Sequence, residues 1–280
     1  MIENRSYLGS RMDDLLPAEG ELITDLDMLV ERMVDISRAA PEVDLPHIQY
    51  GMYGYAEVTK QVTQWVKEDR FDDSAKMAST MPDFAERSFK ALRYHVRGEP
   101  EKVGAWSYMF YSPFARKAPP GIAMGDFLST HVYDDLPKTL LSTNTLPEHQ
   151  HDYSVKINSV LRSVGKHLLP QYVKVHPAFE RLRVPNRGLN VVLNELFDAR
   201  DVAWNAFVEM KASQALYDGV EESIDWPVAF KEISGREPRH IRQIEKGTEE
   251  MARRKLMSSR KVSGFMISHL ATFPKEVWAL

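Results

Sequence analysis

Apolar residues recur every three to four positions along almost the whole chain, the period of a helix that buries one face. Leu22, Leu26, Leu29, Val30 and Met33 set a first stripe, and the tyrosine- and methionine-rich stretch from Ile48 to Val66 sets a second. Asp73 and Ser74 are suited to cap a third helix that runs to about Val96. A fourth spans about Glu101 to Tyr111 and ends before Pro113, and Pro119, Pro120 and Gly121 punctuate the chain before a helical stretch from Ile122. Another begins near Pro147 and carries Ile157, Val160, Leu161, Val164 and Leu168. The clearest runs from Leu189 to about Leu216. No run alternates with the period of two that a half-buried strand requires. The pattern predicts an all-α protein: a single multi-helical core domain over 1–227, with a helical C-terminal extension over 228–280 packed on it.

Composition removes several function classes. The chain has no cysteine, which rules out disulfides, thiolate metal sites and a cysteine nucleophile. A net charge of -4 gives no reason to expect nucleic acid or an anionic membrane as partner. No stretch approaches the roughly 18 uninterrupted apolar residues of a membrane span, and the N-terminal residues are too acidic for a signal peptide, so the expected location is the cytoplasm. In the extension, Arg236, Arg239, Arg242 and Arg253 alternate with Glu232, Glu237, Glu245 and Glu249, which reads as a solvated face. The phosphate loop, the dinucleotide fingerprint, the serine elbow and the H-E-x-x-H zinc motif are all missing, so no nucleotide cofactor is expected.

The informative positions are polar residues that break an apolar stripe. Leu193, Leu196, Phe197, Trp204 and Phe207 mark the buried face of the last long helix, and Arg200 lies on it, four residues from both Leu196 and Trp204. A core-facing guanidinium needs a carboxylate or several carbonyls. Asp201 points about 100° away, so the partner is expected from another helix, unless the side chain snorkels past Trp204 to water. His131 follows the apolar run Met124, Phe127 and Leu128, with Asp134 and Asp135 three and four residues on, on the same face. A His-x-x-x-Asp pair can orient an imidazole for proton transfer, bind a metal or form a structural hydrogen bond. Pro137 either kinks this helix, by depriving the Tyr133 carbonyl of its partner, or opens a new helix after one that ends near Asp135. His149, His151 and Asp152 crowd a helix start, where Asp152 also offsets the macrodipole, and Asn158 borders the stripe that follows.

His-Val-Tyr-Asp-Asp-Leu-Pro at 131–137 resembles the His-x-x-x-Asp-Leu-Pro signature of DUF5995, a family of uncharacterised bacterial proteins. YGMYGYAEVTKQV at 50–62, HDYSVKINSVL at 151–161 and ARDVAWNAFVEM at 199–210 resemble other segments of that family in the same order, so the likeness spans about 47 to 215. Members often carry a second histidine where this chain has Asp134, and a small polar residue in place of Tyr133. The resemblance implies a helical fold and no defined activity, and it singles out His131, Asp135, Arg200 and Trp204.

Together these residues lead to an expected enzyme of secondary metabolism, a hydrolase or cyclase acting on a small apolar molecule. His131 would be general acid or base, Asp135 would orient it, and Arg200 would hold an anionic group or developing charge. Tyr133, Trp204 and Asn158 would contact the substrate. A second form of the hypothesis adds a divalent metal held by His131, Asp134, Asp135, His151 and Asp152. The competing class is a non-catalytic small-molecule-binding protein. A homodimer is left open.

Overall fold

The computed structural model describes residues 12–118, 120–175 and 187–218, and among them it contains helices and turns but no strand. The fold is all-α. Helix α1 (Leu26–Ala39) starts where the Asp25 carboxylate accepts from the amides of Asp27 and Met28, so Leu22 lies before it and is 42% exposed rather than part of its buried stripe. Helices α2 (Pro46–Lys67) and α3 (Ser74–Val96) follow the expected spans, and Asp73 caps α3 by accepting from the Lys76 amide at 2.8 Å.

The single helix expected over Glu101 to Tyr111 is broken. Two 3-10 turns, Pro100–Lys102 and Gly104–Trp106, precede the short α4 (Ser107–Tyr111) and α5 (Pro113–Arg116). Pro100 lacks an amide donor, and Gly104 takes a positive φ of 62°, which glycine adopts without steric cost. That break turns Trp106 into the core.

Helix α6 (Pro120–Thr130), a wide π-turn (His131–Asp135) and α7 (Leu136–Ser142) form one continuous rod. A second π-turn (Asp152–Lys156) leads into α8 (Ile157–Val175), and α9 (Arg187–Asp218) closes the described structure. The extension expected over 228–280 lies outside the described residues. No helix among the described residues is long and apolar enough to cross a membrane.

Helix α2 is the centre of the packing, touching α1, α3, α6 and α8, while α9 lies against α7, α8 and both π-turns. The α6–α7 rod therefore lies between α2 and α9. Gly51 makes the α2–α6 crossing close enough: a Cβ there would stand 2.2 Å from Phe127 Cγ. Helical Gly→Ala usually stabilises by about 0.5–1 kcal/mol, but at Gly51 the clash reverses the sign. Gly51→Ala is expected to lower stability by about 1–3 kcal/mol, whereas Gly125→Ala, with nothing within 4 Å of the new methyl, is expected to raise it. Urea unfolding of both variants checks the pair. A stabilised Gly51→Ala would show that the two helices do not cross this tightly.

Candidate functional site

The π-turn at His131–Asp135 follows from Pro137. A proline in regular helix has no amide for the carbonyl four residues back, here that of Tyr133, and its ring clashes with it. Widening one turn relieves the clash: the Leu136 amide reaches back five residues, to the His131 carbonyl. The helix thus neither stops at Asp135 nor runs on as ordinary α-helix. All five residues of the turn are buried.

His131 is only 1% exposed and lies among aromatic rings from four elements. Phe84 of α3 stacks on it at 3.7 Å and 11°, and Tyr55 of α2 meets it edge-on at 4.5 Å. Nδ1 lies 2.6 Å from Asp135 Oδ2, and the same oxygen accepts the Trp106 indole N–H at 3.0 Å. Because a carboxylate only accepts, Nδ1 carries the proton, and in the neutral ring the lone pair is on Nε2. Burial pushes the imidazole pKa below its usual 6.5, outweighing the opposing pull of Asp135. Nε2 is buried with no hydrogen-bond partner among the described residues, as are the hydroxyls of Tyr55 and of Thr59, one turn further along α2. The Tyr55 hydroxyl is held well above the usual tyrosine pKa by burial and by the Asp135 charge.

The other members of the expected set divide. Asp134 is buried but paired with Lys138 at 2.9 Å. Tyr133, at 2% exposure, belongs to the buried turn. Three contacts of His131 were not foreseen: Tyr55, Phe84 and Trp106. Arg87, also unforeseen, donates to the Thr139 hydroxyl at 2.7 Å and to the Lys138 carbonyl at 3.1 Å, fastening α3, and with it Phe84, to α7. Tyr55 does fall within the 50–62 segment that carries the resemblance. Trp106 carries no sequence signal, because the apolar spacing over 101–111 does not distinguish its 3-10 turn from regular helix.

Arg200 forms a neighbouring station rather than part of the same cluster. It is 6% exposed, so it does not snorkel, and its Nη2 donates to the Tyr153 carbonyl in the second π-turn. Its partner does come from another element, as a carbonyl. Burial brings its pKa down to about 10, which leaves it cationic near neutral pH. Arg200 Nε and the Trp204 indole N–H are buried without acceptors. Trp204 stacks over Tyr153 at 6.0 Å, and the Tyr153 hydroxyl donates to Thr80, one turn before Phe84 on α3. The charges that act on His131 are Asp135 and Arg87, not Arg200. Asn158, half-buried at the start of α8, has an unpaired buried carbonyl oxygen.

The expected metal ligands fall in two places. His151 and Asp152 meet Asp72, the three offering ligand atoms within 4.8 Å of one another. Their bonds are already taken. Asp152 accepts the backbone amides of Asp72 and Asp73 at 2.8 and 2.9 Å, and Lys156 Nζ lies 2.5 Å from Asp72 and 3.1 Å from Asp152. Lys156 thus places a positive charge beside the trio, and these bonds tie the start of α3 to the second π-turn. At His131, Asp134 is engaged by Lys138, and the Asp135 oxygen facing the ring holds two donors.

No curated protein and no solved structure matches the chain. A family model described as a family of unknown function, DUF5995, matches residues 26–232, a span that takes in α2, both π-turns and α9. With most of its length matched, the chain belongs to the DUF5995 family.

Proposed function

We propose that this protein is an enzyme that transfers a proton on a small, largely apolar molecule, with His131 Nε2 as the general base or acid. Asp135 and Trp106 hold the ring in one tautomer and one orientation. Tyr55 and Thr59 add hydroxyls that a reacting oxygen can meet, Arg200 contributes a positive charge, and Tyr133, Trp204 and Asn158 line the substrate's surroundings. A hydrolase or cyclase of secondary metabolism suits this arrangement, because both reactions move a proton within apolar walls.

The single observation behind the reading is the unpaired His131 Nε2. Leaving a polar atom buried without a partner costs about 1–3 kcal/mol. A core that needed only an aromatic wedge between Phe84 and Tyr55 would do better with phenylalanine, and Asp135 and Trp106 would then have nothing to orient. An imidazole held by one nitrogen and open at the other is the arrangement that acid–base chemistry uses.

A mass-spectrometric screen of esters, epoxides and polyenes tests this. Turnover found with the wild type is expected to fall by about 10²–10⁴ in His131→Gln, with a melting temperature within a few degrees. Asp135→Asn is expected to lose turnover as well: an amide oxygen in place of Oδ2 keeps both donors but removes the charge that favours the protonated ring, and an amide nitrogen there sets a donor against the Trp106 N–H. Full activity in His131→Gln, or its unfolding at room temperature, would remove the catalytic role and leave a structural network.

The buried ring also predicts an acid limb. A histidine whose folded pKa lies below its unfolded value contributes stability that is complete above the unfolded 6.5 and is lost as pH falls toward the folded value. Wild type is therefore expected to lose more unfolding free energy than His131→Gln between neutral and mildly acidic pH. Parallel urea curves for the two proteins would show that His131 is accessible to protons in the folded state.

A further inference from the structure

We infer that Arg200 and Trp204 hold the carboxylate of the ligand, so that the molecule taken up between these helices is a hydrophobic monocarboxylic acid. The inference rests on the small-molecule reading of the same helical interior and adds the chemical class. Arg200 and Trp204 lie four residues apart, on one face of α9. Arg200 Nε and Trp204 Nε1 are both buried N–H donors without acceptors among the described residues. Tyr153 joins them, its carbonyl taking Arg200 Nη2 and its ring facing the Trp204 indole.

Charge balance points to an anion. The carboxylate that acts on Arg200 is Asp201, which is exposed and points about 100° around the helix. Among the described residues no buried carboxylate pairs with this guanidinium, which is 6% exposed, an arrangement that is costly unless an anion completes it. One cation and two free N–H donors match a planar, singly charged carboxylate with two oxygens. A phosphate would bring further oxygens and a second charge with nothing here to meet them. Leu196, Ala199, Ala203 and Phe207, all buried on the same helix, provide apolar walls for the rest of the acid. If Arg200 served only to hold the second π-turn, its bond to the Tyr153 carbonyl would suffice, and the free Trp204 N–H would go unexplained.

Calorimetric titration of the full chain with straight-chain carboxylates from butanoate to dodecanoate, each beside the alcohol of equal length, tests the site. At least one carboxylate is expected to bind in one-to-one ratio and at least tenfold tighter than its alcohol. Trp204→Phe, which keeps a packed ring and removes one donor, is expected to weaken that acid by about tenfold, the equivalent of one charge-assisted hydrogen bond. Arg200→Gln is expected to abolish the preference for acid over alcohol. If that variant does not fold, Trp204→Phe decides alone. Equal binding of acid and alcohol, no binding in the series, or unchanged affinity in Trp204→Phe would overturn the assignment. His131→Gln separates the two hypotheses. Carboxylate affinity intact in that variant supports the anion site whatever its turnover, and turnover lost there while wild type ignores carboxylates leaves only the catalytic reading.

Discussion

A carboxylate removed from water must find hydrogen-bond donors, and Asp135 finds two in distant parts of the chain. The His131 Nδ1–H lies one turn before it on the same rod, while the Trp106 indole arrives from a 3-10 turn that exists because Gly104 takes a positive φ. Neither donor is free to move without leaving a buried charge unmet. The imidazole is therefore fixed in tautomer and in plane, and Phe84, Tyr55 and Phe127 pack around a ring that has already been oriented. The broken helix at 100–106 and the close α2–α6 crossing at Gly51 both serve the same few ångströms of space around His131 and Trp106.

Both polar stations are built on π-turns, and α9 packs against both. The first turn has a covalent cause in Pro137. The second is anchored from outside: Asp152 accepts the two backbone amides that precede α3, which fixes where the wide turn begins. A wide turn disturbs the regular amide ladder, and there the Tyr153 carbonyl accepts from Arg200. The buried cation and the irregular backbone thus satisfy one another. The orientation of Tyr153 then carries the effect across to α3 through its hydroxyl bond to Thr80.

The long helices were legible because their signals are local. Asp73 and Ser74 marked the start of α3, and the stripe through Leu193, Leu196, Trp204 and Phe207 marked α9. The pairing of His131 with Asp135 was legible too, although the π-turn was not. A π-helix has about 4.4 residues per turn, so residues four apart still lie near one face, and the pattern cannot distinguish one added residue. Arg200 stood out as a charge in an apolar stripe, but its partner did not, since every residue has a carbonyl and none advertises it. Asp152 looked like a metal ligand or a helix-start charge because the amides it holds belong to Asp72 and Asp73, eighty and seventy-nine residues away. Phe84 and Tyr55 carry no signal of their place beside His131 for the same reason: which rings surround a histidine is decided by packing between helices distant in sequence.

The separation of the two stations bears on what Arg200 can contribute. Between them lie Tyr153, Thr80 and Phe84, and the step from Thr80 to Phe84 alone is about 6 Å along α3. Arg200 is also absent from the charges that act on the His131 ring. On the proposed reading, a guanidinium so placed would interact equally with the bound substrate and with a transition state forming at the far station, and would strengthen binding without favouring the chemical step. Of the two roles open to it in the sequence, the proposed reading takes holding an anionic group rather than stabilising developing charge. On the proposed reading, the substrate is gripped at one end and deprotonated or protonated several bonds away. The ring of Tyr55 meets the imidazole at 4.5 Å, which on that reading makes Tyr55, rather than Arg200, the donor better placed for an oxygen that gains charge beside His131 Nε2.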